Sequence, residues 1–204
     1  MKKWKLLEPF KLRSVQLKNR IVMAPMEARL NRPDGSVDKT TLDYYAARAR
    51  GGVGAIIVQN TTIDDKYSLS ALCQLRIHND YMIAGLSDLA EIIQANGAAA
   101  LIQIGHGGPQ CNPKSNNKRP IAPSAVICQA TGVMPREASL EDIEDVQNAF
   151  AEAMKSKVFL DVMDKFDMPP AYLSSEALTK LIHKDYRETG DLIKSLGIGI
   201  YKKQ

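Results

Sequence analysis

Apolar and polar positions change period several times along this chain, and each change marks an element. Phe10 to Asn19 alternate apolar with polar side chains, which predicts a short hairpin. Arg20 to Ala24 form a compact apolar run without alternation, as expected of a strand covered on both faces. Turn chemistry follows at Asn31-Arg32-Pro33-Asp34-Gly35-Ser36. From Thr40 to Arg50 the residues Leu42, Tyr45, Ala46 and Ala49 recur at helical spacing, and Gly51-Gly52 ends the helix. Ala55 to Val58 read as a buried strand. A second helix runs from Asp80 to Asn96 with Ile83, Leu86, Leu89, Ala90 and Ile93 on one face and Gly97 as its stop, and Ala98 to Ile104 read as the third strand. The order β-α-β-α-β is that of an α/β fold with a parallel sheet.

The regular pattern then lapses. Residues 105–138 form a long loop rich in Gly, Pro, Asn and Ser, and loops of this length are commonly functional or unstructured. Ser139 caps the next helix, with Asp142 three residues on and a stripe of Ile143, Val146, Phe150 and Met154. Lys157 to Met163 could continue that helix or form a strand, and Pro169-Pro170 breaks whatever precedes it. Ser174 to Leu196 read as one polar helix.

Composition narrows the class without naming a chemistry. The 204 residues are 45% hydrophobic, enough for a core, and 27 basic against 23 acidic residues leave a net charge of +4. That excess is too small and too dispersed to argue for nucleic acid. No apolar run reaches the roughly 18 residues that a membrane span needs. The basic start Met1-Lys2-Lys3-Trp4-Lys5 leads into no apolar segment of the secretory type. Cys73, Cys111 and Cys128 lack C-x-x-C spacing, so a metal centre is not expected and a reducing, cytoplasmic setting is.

The candidate chemistry lies at strand ends. Pro25 and Met26 close the first strand, Asn60 follows the second, and Gln103, His106 and Gly107-Gly108 close the third. Taken singly these have plain readings. Tyr44 and Tyr45 with Leu42 read as helix packing, His106 in a glycine-rich turn as structural or solvent-exposed, and Gly107-Gly108 lacks the following helix a phosphate cradle needs. In order along the chain, however, Met23-Ala24-Pro25-Met26, Tyr44 to Gly54, Gln103 to Gly108, Ala122-Pro123-Ser124 and Met134-Pro135-Arg136-Glu137 resemble the Old Yellow Enzyme family. Within it they are similar to the 2,4-dienoyl-CoA reductase-like NADH:flavin oxidoreductases, over residues 6–154.

The resemblance implies the N-terminal half of a TIM (β/α) barrel with FMN at the C-terminal strand ends, the usual place for a barrel site. It makes Pro25, Met26, Glu27, Asn60 and Gln103 cofactor-binding, with the Gln103 amide facing the flavin pyrimidine edge, and it places His106 as the catalytic candidate on the substrate side. It implies an FMN-dependent oxidoreductase that takes electrons from NAD(P)H and reduces an activated C=C bond in a small-molecule substrate. Glu27 departs from the Thr or Cys of many members, and Pro109 from their Arg. The family's substrate-binding His-x-x-Asn or His-x-x-His, its proton-donating Tyr and its phosphate-binding Arg lie beyond the region matched here. The expected division is therefore a barrel part over 1–155 and an unrelated helical tail over 156–204. The tail has its own short resemblance, through Tyr172 to Glu176, Asp185-Tyr186 and Ile193 to Gly197, to the last helix of tripartite tricarboxylate transporter solute-binding proteins. A second expectation stands beside the enzyme: a non-catalytic half-barrel module completed by a second copy or a complementing subunit.

Overall fold

The structure, a computed structural model, describes residues 4–12, 15–155 and 175–196. The chain divides into two compact units, Met1–Met168 and Pro169–Gln204. In the first, β1 (Phe10–Leu12) and β2 (Val15–Leu17) form the expected antiparallel hairpin. A parallel sheet follows in the order β3 (Val22–Met23), β4 (Ala55–Thr62), β5 (Ala99–Gly105). Helix α1 (Lys39–Arg50) connects β3 to β4, and α2 (Ile83–Ala95) connects β4 to β5. The second unit contains α5 (Ser175–Leu196), a helix over nearly the span its polar periodicity predicts. Lys157 to Met163 and Pro169-Pro170 lie outside the described residues.

Period decides which face is buried. On β4, Ile56 and Val58 point the same way and meet Tyr45 and Ala49 of α1 and Leu89 and Ile93 of α2. Leu75 and Ala98 complete this core, so both helices cover one face of the sheet. Tyr45 closes it with a polar tip: its hydroxyl accepts the Gln59 N–H at 2.9 Å. Ile57 and Leu101 sit on the opposite face and are only half-buried.

Three expectations change. The first strand was expected to be covered on both faces, yet only Val22 and Met23 pair with β4 and Val22 is 48% exposed. Among the described residues the sheet ends at β3, so that strand lacks a neighbour on one side. The second helix begins at Ile83, because Asn79 caps a preceding 3-10 turn (Asp80–Met82) by accepting the Tyr81 N–H at 2.9 Å. Ile83 is accordingly exposed, and Met82 is buried instead. The loop 105–138 is also not without structure. It holds a short helix α3 (Pro113–Asn116), capped by Asn112, and a parallel pair β6 (Ile121–Ala122) and β7 (Arg136–Glu137).

After that loop, α4 (Leu140–Lys155) starts as its sequence predicts. The Ser139 hydroxyl accepts the Asp142 N–H at 3.2 Å, and Asp142 Oδ2 accepts the Ser139 N–H at 2.7 Å. Arg136 adds two hydrogen bonds to the same carboxylate, at 2.7 and 2.8 Å. The guanidinium holds the Asp142 carboxyl well below the usual carboxylate range.

The hairpin is tied to the sheet through Asn19. Its side chain accepts the Ile21 N–H at 3.0 Å and donates to the Gly52 carbonyl at 2.7 Å. Gly54 passes so close that a Cβ there would lie 2.4 Å from the Asn19 carbonyl oxygen. Replacing Gly54 by Ala must therefore shift backbone against backbone, and a loss of about 1–3 kcal/mol is expected. Urea unfolding checks this; an unchanged midpoint would show that the approach is not tight.

Candidate functional site

The site grows from one irregularity in β4. Strict alternation would place Asn60 on the same face as Ile56 and Val58, under the helices. The register instead pairs Val58 with Ile102 and Asn60 with Gln103, leaving Gln59 as an extra residue. Ile102 and Gln103 face opposite sides of β5, so the bulge turns Asn60 onto the side of Gln103. The two amides thus stand in register at the C-terminal ends of adjacent strands.

Neither amide is committed to the protein. Among the described residues no hydrogen bond engages the side chain of Asn60 or Gln103, and Gln103 is exposed. Gly105 makes room for this arrangement, since a Cβ there would lie 2.4 Å from Asn60 Oδ1. Its carbonyl accepts from the Ser68 hydroxyl at 3.3 Å, and Ser68 is hydrogen-bonded to Thr62, which locks the loop after β4 to the end of β5.

The segment after β3 is held from beneath. The Ala28 N–H donates to Gln59 Oε1 at 2.8 Å, and Gln59 is fully buried. Glu27 receives the Ser70 hydroxyl at 3.4 Å and faces Arg29 at 3.4 Å. Met26 is 61% exposed, an apolar side chain left open to solvent at the strand end. Gln59 was not singled out by its sequence context. The only trace of its role is a polar residue at the end of an apolar strand.

His106 is in different company. It lines a cavity of about 220 Å³ with Asp64, Tyr67, His78, Asp142 and Val146, a cavity that none of the five cofactor-site candidates lines. The Gly108 N–H donates to His106 Nδ1 at 3.0 Å, so the neutral ring carries its proton on Nε2. That nitrogen is buried without a hydrogen-bond partner and lies 3.9 Å from Asp64 Oδ2. Burial lowers the His106 pKa, and the nearby Asp64 carboxylate offsets this only in part. Beneath the loop, Cys111 donates to the Tyr67 carbonyl at 2.6 Å, and burial pushes its thiol up to about 12. Cys128 is shifted the other way by hydrogen bonds from Thr131.

Among the described residues no group of three or more His, Cys, Asp or Glu side chains could hold a metal ion, and no helix is long and apolar enough to cross a membrane.

Comparison with known proteins gives these residues a context. The model of the NADH:flavin oxidoreductase / NADH oxidase family matches residues 5–163. The NADH oxidase of Thermoanaerobacter brockii is 43% identical over 138 residues, which is 67% of this chain and 21% of that protein. A metal reductase of Desulforamulus reducens is 32% identical over 198 residues, 96% of this chain and 29% of that protein. Old Yellow Enzyme from Pichia sp. AKU4542 superposes with a TM-score of 0.66 at 23% identity, over 80% of this chain and 44% of that one. The chain therefore spans less than a third of the length of either curated relative.

Two outcomes follow from the buried groups. His106 should titrate with a midpoint below the usual imidazole value of about 6.5, read from its ring proton shifts by NMR. The folded pKa lies below the unfolded one, so the unfolded chain takes up this proton first. The stability held above pH ~6.5 is then lost as pH falls toward and through the folded value, and His106→Gln should flatten that dependence. In a thiol-labelling time course at pH ~7.5, about one unit below the pKa of a free thiol, Cys128 should react well before Cys111. Equal rates would contradict the burial of Cys111.

Proposed function

Because the chain belongs to the NADH:flavin oxidoreductase / NADH oxidase family, whose members use FMN with NAD(P)H as reductant, we propose that it carries one side of an FMN site. In this reading β3, β4 and β5 are the first strands of a TIM barrel, and the amides at their C-terminal ends face the flavin. The observation that carries it is the pairing of Asn60 with Gln103, two uncommitted amides side by side on one face. An amide offers both a donor and an acceptor, as a pyrimidine edge with carbonyl and N–H groups requires. The donor set therefore fits FMN. Pro25, Met26 and Glu27 form the adjoining wall, with Met26 as a soft apolar contact for a ring.

FMN, when bound, supplies the hydride-carrying ring between NAD(P)H and an activated C=C bond. The chain's own part is to orient that ring by Asn60 and Gln103 and to place the Glu27 carboxylate near it. A fixed negative charge there would disfavour an anionic reduced flavin and lower its potential. His106 adds a neutral N–H to the neighbouring cavity and in this reading shapes the substrate side. Three free cysteines support a reducing compartment such as the cytoplasm.

A second reading draws on the sheet edge. The outer edge of β5 is unpaired among the described residues, and Ile102 and Ile104 are exposed at 37% and 38%. Such an edge calls for more protein to cover it. The chain could then be a non-catalytic half-barrel module completed by a second copy or another subunit.

A visible absorption spectrum of the purified chain, followed by titration with FMN, separates the two. The first reading expects a shifted flavin band and quenched fluorescence, with affinity reduced about tenfold in Gln103→Ala, the cost of about one polar contact to a ring edge. A colourless protein that takes up no FMN, and whose mass by light scattering is that of a dimer, supports the second reading and removes the first.

A further inference from the structure

We propose that Gln59 is a positioning residue of this site, setting both of its walls through one backbone bulge. The inference rests on the FMN reading above. One wall is the segment Pro25 to Ala28; the other is the amide pair of Asn60 and Gln103. Gln59 reaches the first through its side chain and the second through its place in the strand register.

The argument starts from the cost of a buried bulge. An extra residue in a strand leaves the local ladder disrupted, and polar groups left unpaired away from water are expensive. Gln59 is 1% exposed, so solvent cannot help. Its polar groups are met by particular partners instead. The N–H donates to the Tyr45 hydroxyl at 2.9 Å, and the carbonyl accepts the Thr61 hydroxyl at 2.9 Å. Tyr45 and Thr61 are themselves fully buried. The bulge is thereby referenced to the helix-side core and cannot slide along the strand without breaking those contacts.

Two consequences reach the site from this one residue. The extra position reverses the facing of Asn60, as the register with Gln103 requires. The Gln59 side chain then extends to Ala28 and fixes the backbone that carries Pro25, Met26 and Glu27. Removing the side-chain oxygen leaves the Ala28 N–H without its partner and frees that wall, while the bulge itself keeps its Tyr45 and Thr61 contacts.

The test uses the whole chain and three variants. Gln59→Leu removes the acceptor, Gln59→Glu keeps an acceptor oxygen at the same position, and Ile93→Ala weakens the core at a residue outside the site. FMN affinity is read by fluorescence quenching, bound-flavin geometry by visible circular dichroism, and the Ala28 N–H by hydrogen exchange without FMN. Gln59→Leu should weaken FMN binding about tenfold, alter the flavin dichroism and speed exchange at Ala28. Gln59→Glu should recover most of the affinity. Ile93→Ala should lower the melting temperature and leave affinity and dichroism unchanged. If Gln59→Leu does not fold, Tyr45→Phe takes its place; it removes only the hydroxyl behind the bulge and should alter the same two flavin readouts. Wild-type affinity and dichroism in Gln59→Leu, or in Tyr45→Phe where that is the variant used, would overturn the role of Gln59 alone. A wild-type chain that takes up no FMN would overturn the FMN reading and this role together.

Discussion

The ladder between β4 and β5 is the constraint on which the rest depends. It brings Ile56 and Val58 over α1 and α2, and it brings Asn60 beside Gln103. These two jobs need opposite faces of one strand within a few residues. In a regular strand residues two apart share a face, so a core-facing Val58 and a site-facing Asn60 are incompatible without an extra residue. Gln59 is that residue. Its burial is tolerated because three neighbours offer matching groups: a phenol from α1, a hydroxyl from Thr61, and a backbone N–H from the segment after β3.

The electrostatics follow the same division. The amide pair is neutral and open, suited to a ligand edge that both donates and accepts. The His106 cavity is more enclosed, and burial lowers the imidazole pKa in spite of a carboxylate 3.9 Å away. The two-bond pairing of Arg136 with Asp142 lies at the start of α4 and joins the long loop to that helix.

Much of the fold was legible because its elements obey a single period. The helices α1 and α4 announce themselves by spacing and by Gly51-Gly52 and Ser139 at their ends, and α2 by its stripe. The hairpin reads from alternation. The strand ends with Pro25, Met26 and Gln103 were recognisable as a set only because several of them recur in family order. What escaped depends on neighbours distant in sequence. The exposure of Val22 depends on which strands flank β3, and the pairing of β6 with β7 joins residues separated by a loop that has no periodicity.

The facing of Asn60 marks the boundary most clearly. By itself the sequence determined the order of strands and helices, the apolar stripes that join them, and the polar residues collected at strand ends, since these depend on local period and propensity. Tertiary structure alone decided that Gln59 would be the bulged residue and that Asn60 would meet Gln103. That choice is made by partners on α1, β5 and the segment after β3, and no local pattern contains them.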